Sequence, residues 1–380
     1  MASPRSPEAG TRCTVVMPLA ARRGGAEWSL MELVHHGGDL GFSLEVVFLE
    51  DGPMVAECEA AGVPAAVVPA GRLREVQNYA RSVARLAASF RRDRPDVVVG
   101  WMTKAQLYSG PAARLAGIPA VWCQHGLPSS RDALDRVAIA LPARGVVAVS
   151  GAVRSAQRAL RPRRRVEVAH PGIDLERFDP DRLPPPAEAR TRLGLPSGGP
   201  LVGIVARLQR WKGVHVLLEA LPAIARQHAD VHCVVVGGVH ELEPEYEPYL
   251  RRRVAELGVR ERVTFAGNQA DVTSWMQAMD VVVSASAEEP FGLSLVEAMA
   301  LGKPVVAAAR GGPLEIIRDR SDGLLVPPGE ARPLGSALSR LLSDPELAAD
   351  LGAAARQRAG DFSSRGWAVR FISAVRELIR

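Results

Sequence analysis

The sequence predicts an α/β protein of two doubly wound, parallel-sheet domains, and three observations carry that expectation. Short β-rich runs alternate with helical stretches along the chain, the pattern of parallel strands joined by crossover helices. At 380 residues the chain is longer than one hydrophobic core usually serves. Proline and glycine concentrate at 183–186 and again at 196–200, and the alternation restarts beyond them.

In the first half, Thr14–Met17, Leu44–Phe48, Ala66–Val68, Val97–Gly100, Ala120–Cys123, Val146–Val149 and Val166–Ala169 read as strands. Helices such as Val76–Arg92 and Ala105–Ala116 lie between them. In the second half the strands are Leu201–Ala206, Val231–Val236, Val263–Phe265, Val281–Ser284 and Val305–Ala308. The expected domains are 11–182 and 200–362, with 183–199 as linker and 363–380 as a last helix. That helix carries Trp367, Phe371, Val375 and Leu378 at helical spacing, a stripe that should dock on a domain surface. Ligands of such sheets bind beyond the carboxyl ends of the strands, so the loops after strands are where chemistry is expected.

Composition narrows the function classes. With 47% hydrophobic and 23% charged residues the chain has ample apolar material for packed cores. Cys13, Cys58, Cys123 and Cys233 are far apart, with no C-x-x-C or His/Cys spacing for zinc, which fits reduced thiols and a cytoplasmic location. Residues 1–12 are polar where a secretory signal needs an apolar run, and no stretch of about 18 apolar residues follows. The net charge of +5 lies entirely in residues 1–190, where 25 basic side chains face 20 acidic ones. Part of it is the run Arg154, Arg158, Arg161, Arg163, Arg164, Arg165, either a solvated helix face or a contact for an anionic membrane or acidic acceptor. No aromatic residues interleave with these arginines, which argues against a nucleic-acid partner.

Four strand-end loops carry candidate chemistry. Glu289-Pro290-Phe291-Gly292-Leu293-Ser294-Leu295-Val296-Glu297 opens a helix that Leu293, Leu295, Val296, Met299 and Ala300 make apolar nearly all round. Glu297 within it is expensive to bury without a partner, and a ribose diol is a suitable one. Ala206-Arg207-Leu208-Gln209-Arg210-Trp211-Lys212-Gly213 holds one of only three lysines, the others being Lys104 and Lys303, so lysine is a specific choice there. It is not a Walker A loop, because the lysine precedes the glycine and no G-x-x-x-x-G-K run exists. Arg22-Arg23-Gly24-Gly25-Ala26-Glu27 follows the first strand, and its glycines let a phosphate approach a helix N-terminus. Gln124-His125-Gly126 lies just past the Ala120–Cys123 strand.

Together these loops resemble the signature set of glycosyltransferase family 4, over nearly the whole chain. The most specific element is the E-x7-E motif of Glu289 and Glu297 with its internal Pro-Phe-Gly. The resemblance implies the GT-B architecture: two Rossmann-like domains facing across a cleft, with a C-terminal helix packing back. It implies retaining transfer of a sugar from a nucleotide diphosphate donor, UDP by family weight, to an unidentified small-molecule or lipid-linked acceptor, with no cofactor. It assigns Glu297 to the ribose hydroxyls, Glu289 to the donor sugar, and the N–H groups of Phe291, Gly292 and Leu293 to the helix start. Arg207 and Lys212 are then the clamp on the diphosphate, Gly24 and Gly25 the first-domain glycine loop, and His125 the histidine facing the donor sugar. Ala206 stands where the family has glycine, and His170-Pro171-Gly172-Ile173-Asp174 departs from its hinge motif at Pro171. No metal is expected, since Asp179-Pro180-Asp181, a mimic of the metal-binding D-x-D, lies close to the prolines at 184–186 and reads as a turn.

Three rival readings are a dinucleotide-dependent oxidoreductase, a sugar-nucleotide epimerase or phosphorylase of the same architecture, and a silent sugar-binding relative. No G-x-G-x-x-G follows a candidate strand, against the first. Turnover of a nucleotide sugar without acceptor would reveal an epimerase. The joint presence of His125, Arg207, Lys212, Glu289 and Glu297 speaks against a silent relative.

Overall fold

A computed structural model describes residues 10–22, 24–71 and 74–380. The chain forms two compact units: the first runs to Gly172 and takes up Ser364–Arg380, and the second is Ile173–Ser363.

The first unit holds β1 (Thr11–Met17), β2 (Phe42–Phe48), β3 (Ala65–Val67), β4 (Val97–Trp101), β5 (Ala120–Gln124), β6 (Gly145–Ala148) and β7 (Val166–Val168). Its sheet runs β3-β2-β1-β4-β5-β6-β7 with parallel pairing throughout. The second holds β8 (Leu201–Val205), β9 (His232–Val236), β10 (Val263–Gly267), β11 (Val281–Ser284), β12 (Val305–Ala308) and β13 (Leu324–Val326). Its sheet runs β10-β9-β8-β11-β12-β13, again parallel. The central strands read as unbroken apolar runs because helices cover both faces: every residue of β4, β11 and β12 is buried. In each sheet the strand order reverses once, between β1 and β4 and between β8 and β11, and the crevice at such a switch point is where these sheets bind ligands.

All seven strands expected in the first half and all five in the second are present, with ends shifted by up to three residues. β13 was not foreseen, because three residues after a glycine leave too short a run to show period. The chain changes unit at Gly172–Ile173, ahead of the 183–199 segment expected to link the domains. That segment belongs to the second unit. Its prolines start the helix Pro186–Arg192, and buried Arg190 donates to Ala278 O (2.9 Å), Gly199 O (3.1 Å) and the Asp280 carboxylate (2.7 Å).

The helix Ser364–Ile379 packs into the first unit's core. Trp367, Phe371, Val375 and Leu378 are all buried, each worth roughly 1.5–3 kcal/mol relative to exposure. Trp367 Nε1 donates to Ser29 O at 3.0 Å, and Phe371 meets Trp101 with ring centroids 5.4 Å apart. Gly145 makes room for the helix, since a Cβ there would stand 2.4 Å from Leu378 Cδ2.

The arginine run does not form one face. Arg161 and Arg164 turn in to the carbonyls of Ile139 and Leu141, and Arg165 to that of Glu377, while Arg154 and Arg158 stay exposed on the helix Gly151–Leu160. Asp179 and Asp181 both accept from Arg356, at 2.8 and 2.7 Å, around the short 3₁₀ turn Pro180–Arg182. All four cysteines are buried and free. Among the described residues no helix is long and apolar enough to cross a membrane.

Candidate functional site

Within the second unit, the loops after β8 and β11 flank the switch point and are stitched together. Ala287 N donates to Trp211 O at 2.7 Å. Gly213, at φ +71°, lies so close to β11 that a Cβ would stand 2.1 Å from Ala285 O. Only glycine combines that conformation with that approach. A second strut comes from Glu243, whose carboxylate accepts from Arg210 N at 2.8 Å, while the Arg210 guanidinium lies 4.9 Å from the Tyr249 ring centroid.

This stitching aims Lys212 at Glu289. Nζ and Oε2 are 2.7 Å apart, with the side chains only 15% and 8% exposed. A buried pair of this kind is weak evidence of stability, because desolvating both charges offsets most of their attraction. Its placement at the switch point is the informative feature. Ser286 Oγ donates to the same Oε2 at 2.7 Å, and Oε1 accepts no hydrogen bond among the described residues.

The loop after β12 fixes the backbone of the same segment. Gly312 N donates to Glu289 O at 2.9 Å, and a Cβ on Gly312 would lie 2.0 Å from Phe291 O. Phe291 is buried against Phe362, and Gly292, at φ +116°, turns the chain into the helix Leu293–Ala300. The N–H groups at this helix start are oriented for an anion. One turn on, Glu297 is half-buried and its carboxylate has no hydrogen bond among the described residues. Burial pushes its pKa up to about 7, opposed by the Arg177 guanidinium. Arg207 follows β8, exposed and without a side-chain partner among the described residues, so the structure does not bring it to Glu289.

In the first unit, Trp101 at the end of β4 touches His125 and the helix that begins at Gly25. Gly24 caps the helix Gly25–Gly37, and Trp101 Nε1 donates to Ala26 O at 2.9 Å. The Trp101 ring lies 4.9 Å from that of His125, which follows β5. Next along the chain, at the start of the helix Met102–Ala116, Met102 sits at φ +66°, a conformation that costs a non-glycine residue about 1–3 kcal/mol and concentrates at functional sites. His125 Nε2 is 3.3 Å from Cys123 Sγ, and burial lowers its pKa to about 3, so the imidazole is neutral at ordinary pH. Arg22 of the glycine loop is paired with Glu57 at 2.6 Å, and Arg23 lies outside the described residues.

Sequence reasoning missed Trp101, Ser286, Arg177 and the Gly311–Gly312 pair. Only Gly-Gly, three residues past a strand, was a readable signal. A tryptophan in a strand and a serine among small residues look like ordinary core and loop.

Comparison with known proteins finds matches to both units. Residues 187–358 match the family model "Glycosyl transferases group 1", and residues 23–177 match "Glycosyltransferase Family 4". A D-inositol 3-phosphate glycosyltransferase of Salinispora arenicola is 40% identical over 208 residues, 52% of this chain and 46% of that protein. One from Corynebacterium urealyticum is 34% identical over 56% of this chain and 51% of its own length. These alignments span about half the length of the curated relatives. HepE of Anabaena, solved with UDP and glucose, superposes with a TM-score of 0.85 at 26% identity, covering 97% of this chain and 100% of that one. Its complex with UDP-glucose gives 0.85 at 27%, covering 96% and 99%. The fold is that of the GT-B glycosyltransferases.

Proposed function

We propose, for a chain that belongs to glycosyltransferase family 4, that it moves a sugar from a UDP-sugar to a hydroxyl of a small-molecule or lipid-linked acceptor, with retention at the anomeric carbon. One observation carries the reading: a buried ammonium and a buried carboxylate with one unbonded oxygen meet at the switch point of the second unit's sheet. A diphosphate needs the first and a sugar hydroxyl the second. The Glu297 carboxylate one turn along, without a hydrogen bond among the described residues, suits a ribose diol, whose two hydroxyls would offset its desolvation. The UDP and UDP-glucose complexes of HepE make uridine the first base to test.

In the transfer, the bond from the anomeric carbon to the distal phosphate oxygen breaks and its electron pair stays on that oxygen. The acceptor oxygen bonds to the anomeric carbon, and its proton goes to the departing phosphate. Charge grows on the phosphate as the sugar becomes cationic, so Lys212, Arg207 and the Phe291–Leu293 N–H groups stabilise the transition state more than the bound donor. Glu289 orients the sugar through Oε1. We assign the acceptor to the first unit, and keep for neutral His125 the donor-sugar role, in which it exchanges hydrogen bonds with sugar hydroxyls without adding charge.

The test is incubation with UDP-glucose and candidate acceptors, D-inositol 3-phosphate among them, followed by NMR of the first-formed product. A product with the donor's anomeric configuration is expected, and an inverted one removes retention from the account. UDP-sugar conversion without acceptor and without UDP release points instead to an epimerase.

Because protein cations meet the phosphate charge, EDTA should leave the rate within about twofold of its untreated value. Activity that disappears on chelation and returns only with magnesium or manganese contradicts this.

A further inference from the structure

We propose that Ser286 is a positioning residue for the transfer: its hydroxyl holds the Glu289 carboxylate in place as Lys212 turns its charge toward the leaving phosphate. The proposal rests on the transfer reading above.

The geometry is a carboxylate with one crowded and one unbonded oxygen. Ser286 Oγ and Lys212 Nζ both lie 2.7 Å from Oε2, and neither reaches Oε1. An ionised carboxylate has no proton to give, so the serine hydroxyl must donate, and its single hydrogen is committed to this bond. Ser286 and Glu289 are 3% and 6% exposed, so water competes poorly for either partner.

Lys212 has two tasks that conflict. As negative charge grows on the departing phosphate, the ammonium is drawn toward it and its hold on Oε2 weakens. A carboxylate held by the ammonium alone would then be free to rotate, carrying Oε1 away from the sugar hydroxyl just as the sugar becomes cationic. Ser286 removes the conflict: a charge-assisted hydrogen bond keeps Oε2 in place and lets Lys212 share its charge. The backbone here does not depend on the serine side chain. Gly312 N holds Glu289 O, and Ala287 N holds Trp211 O. Removing the hydroxyl therefore loosens the carboxylate and leaves the loop folded.

Steady-state kinetics with UDP-glucose as donor test the idea. Ser286→Ala should lower kcat about 10- to 100-fold, the size of a hydrogen bond to a charged group. The donor KM should stay within about threefold and UDP affinity should match wild type, because UDP carries no sugar for Glu289 to orient. Ser286→Thr, which keeps the hydroxyl, should recover most of the loss. A folded Ser286→Ala protein with wild-type kcat overturns the proposal, as does a loss that appears wholly in KM, or a Thr variant as slow as Ala. A wild-type protein that releases no UDP from UDP-glucose or other UDP-sugars overturns the transfer reading and this inference with it. Failure of the inference alone appears as an active wild type and an equally active Ser286→Ala.

Discussion

Lys212→Ala should lower kcat by about 100- to 1,000-fold with little change in donor KM, the usual cost of removing one preorganised group from a developing charge. The ammonium sits 2.7 Å from the Glu289 carboxylate, with both side chains largely out of water. Removing it deletes the cation aimed at the leaving phosphate and leaves Glu289 with Ser286 as its sole side-chain partner among the described residues. The second effect costs stability, since breaking a buried pair from one side leaves an uncompensated charge. The folded variant should therefore melt earlier as well as react slowly. Lys212→Arg should restore only part of the rate, because a planar fork replaces a compact ammonium held 4.2 Å from the Trp211 ring centroid. A folded Lys212→Ala enzyme with near wild-type kcat would remove Lys212 from the mechanism.

Glu297→Gln should stabilise the ligand-free protein and weaken UDP binding. Burial raises the pKa of this carboxyl from an ordinary 4.5 to about 7 in the folded chain. Between those values the folded state holds a proton that the unfolded state has released, so stability falls as pH rises through the window. The penalty is complete above pH 7 and amounts to at most about 3 kcal/mol, less where water still reaches the half-buried carboxylate. Glutamine never ionises, so the variant should gain stability at pH 8 and almost none at pH 4.5. A ribose diol donating to the carboxylate would explain why the costly residue is kept, in the way functional sites trade stability for binding. UDP affinity should accordingly drop about 10- to 100-fold in the variant. Melting curves at the two pH values and calorimetry with UDP check both halves. A variant that is less stable than wild type at pH 8 without ligand contradicts the sign.

The fold was legible because its strands are buried on both faces and read as uninterrupted β-branched runs, as in Val281–Val283 and Val97–Val99. Leu324–Val326 escaped because three residues carry no period. The unit boundary escaped for a different reason: the prolines at 184–186 looked like linker, whereas Pro186 opens a helix that Arg190 anchors. At the site, Lys212, Glu289 and Glu297 stood out as charged residues in apolar or lysine-poor surroundings, and that contrast survives without coordinates. Ser286 and Trp101 carry no such contrast. Their parts come from which strand lies next to which, β11 beside β8 and β4 beside β5, and only the sheet order supplies that. The basic run was misleading for the same reason, since Arg161 and Arg164 turn to carbonyls at the end of a neighbouring helix.

The central claim is that the second unit holds a nucleoside diphosphate through protein cations and the Glu297 carboxylate. Thermal unfolding with UDP in EDTA-containing buffer tests it most directly, run beside GDP and ADP and the corresponding sugars. A ligand at 100 times its dissociation constant adds about 2.7 kcal/mol of stability. The account predicts that gain for UDP and UDP-glucose in wild type and a much smaller one in Glu297→Gln at the same concentration. No stabilisation by any of these nucleotides, or an equal gain in both proteins, would contradict it.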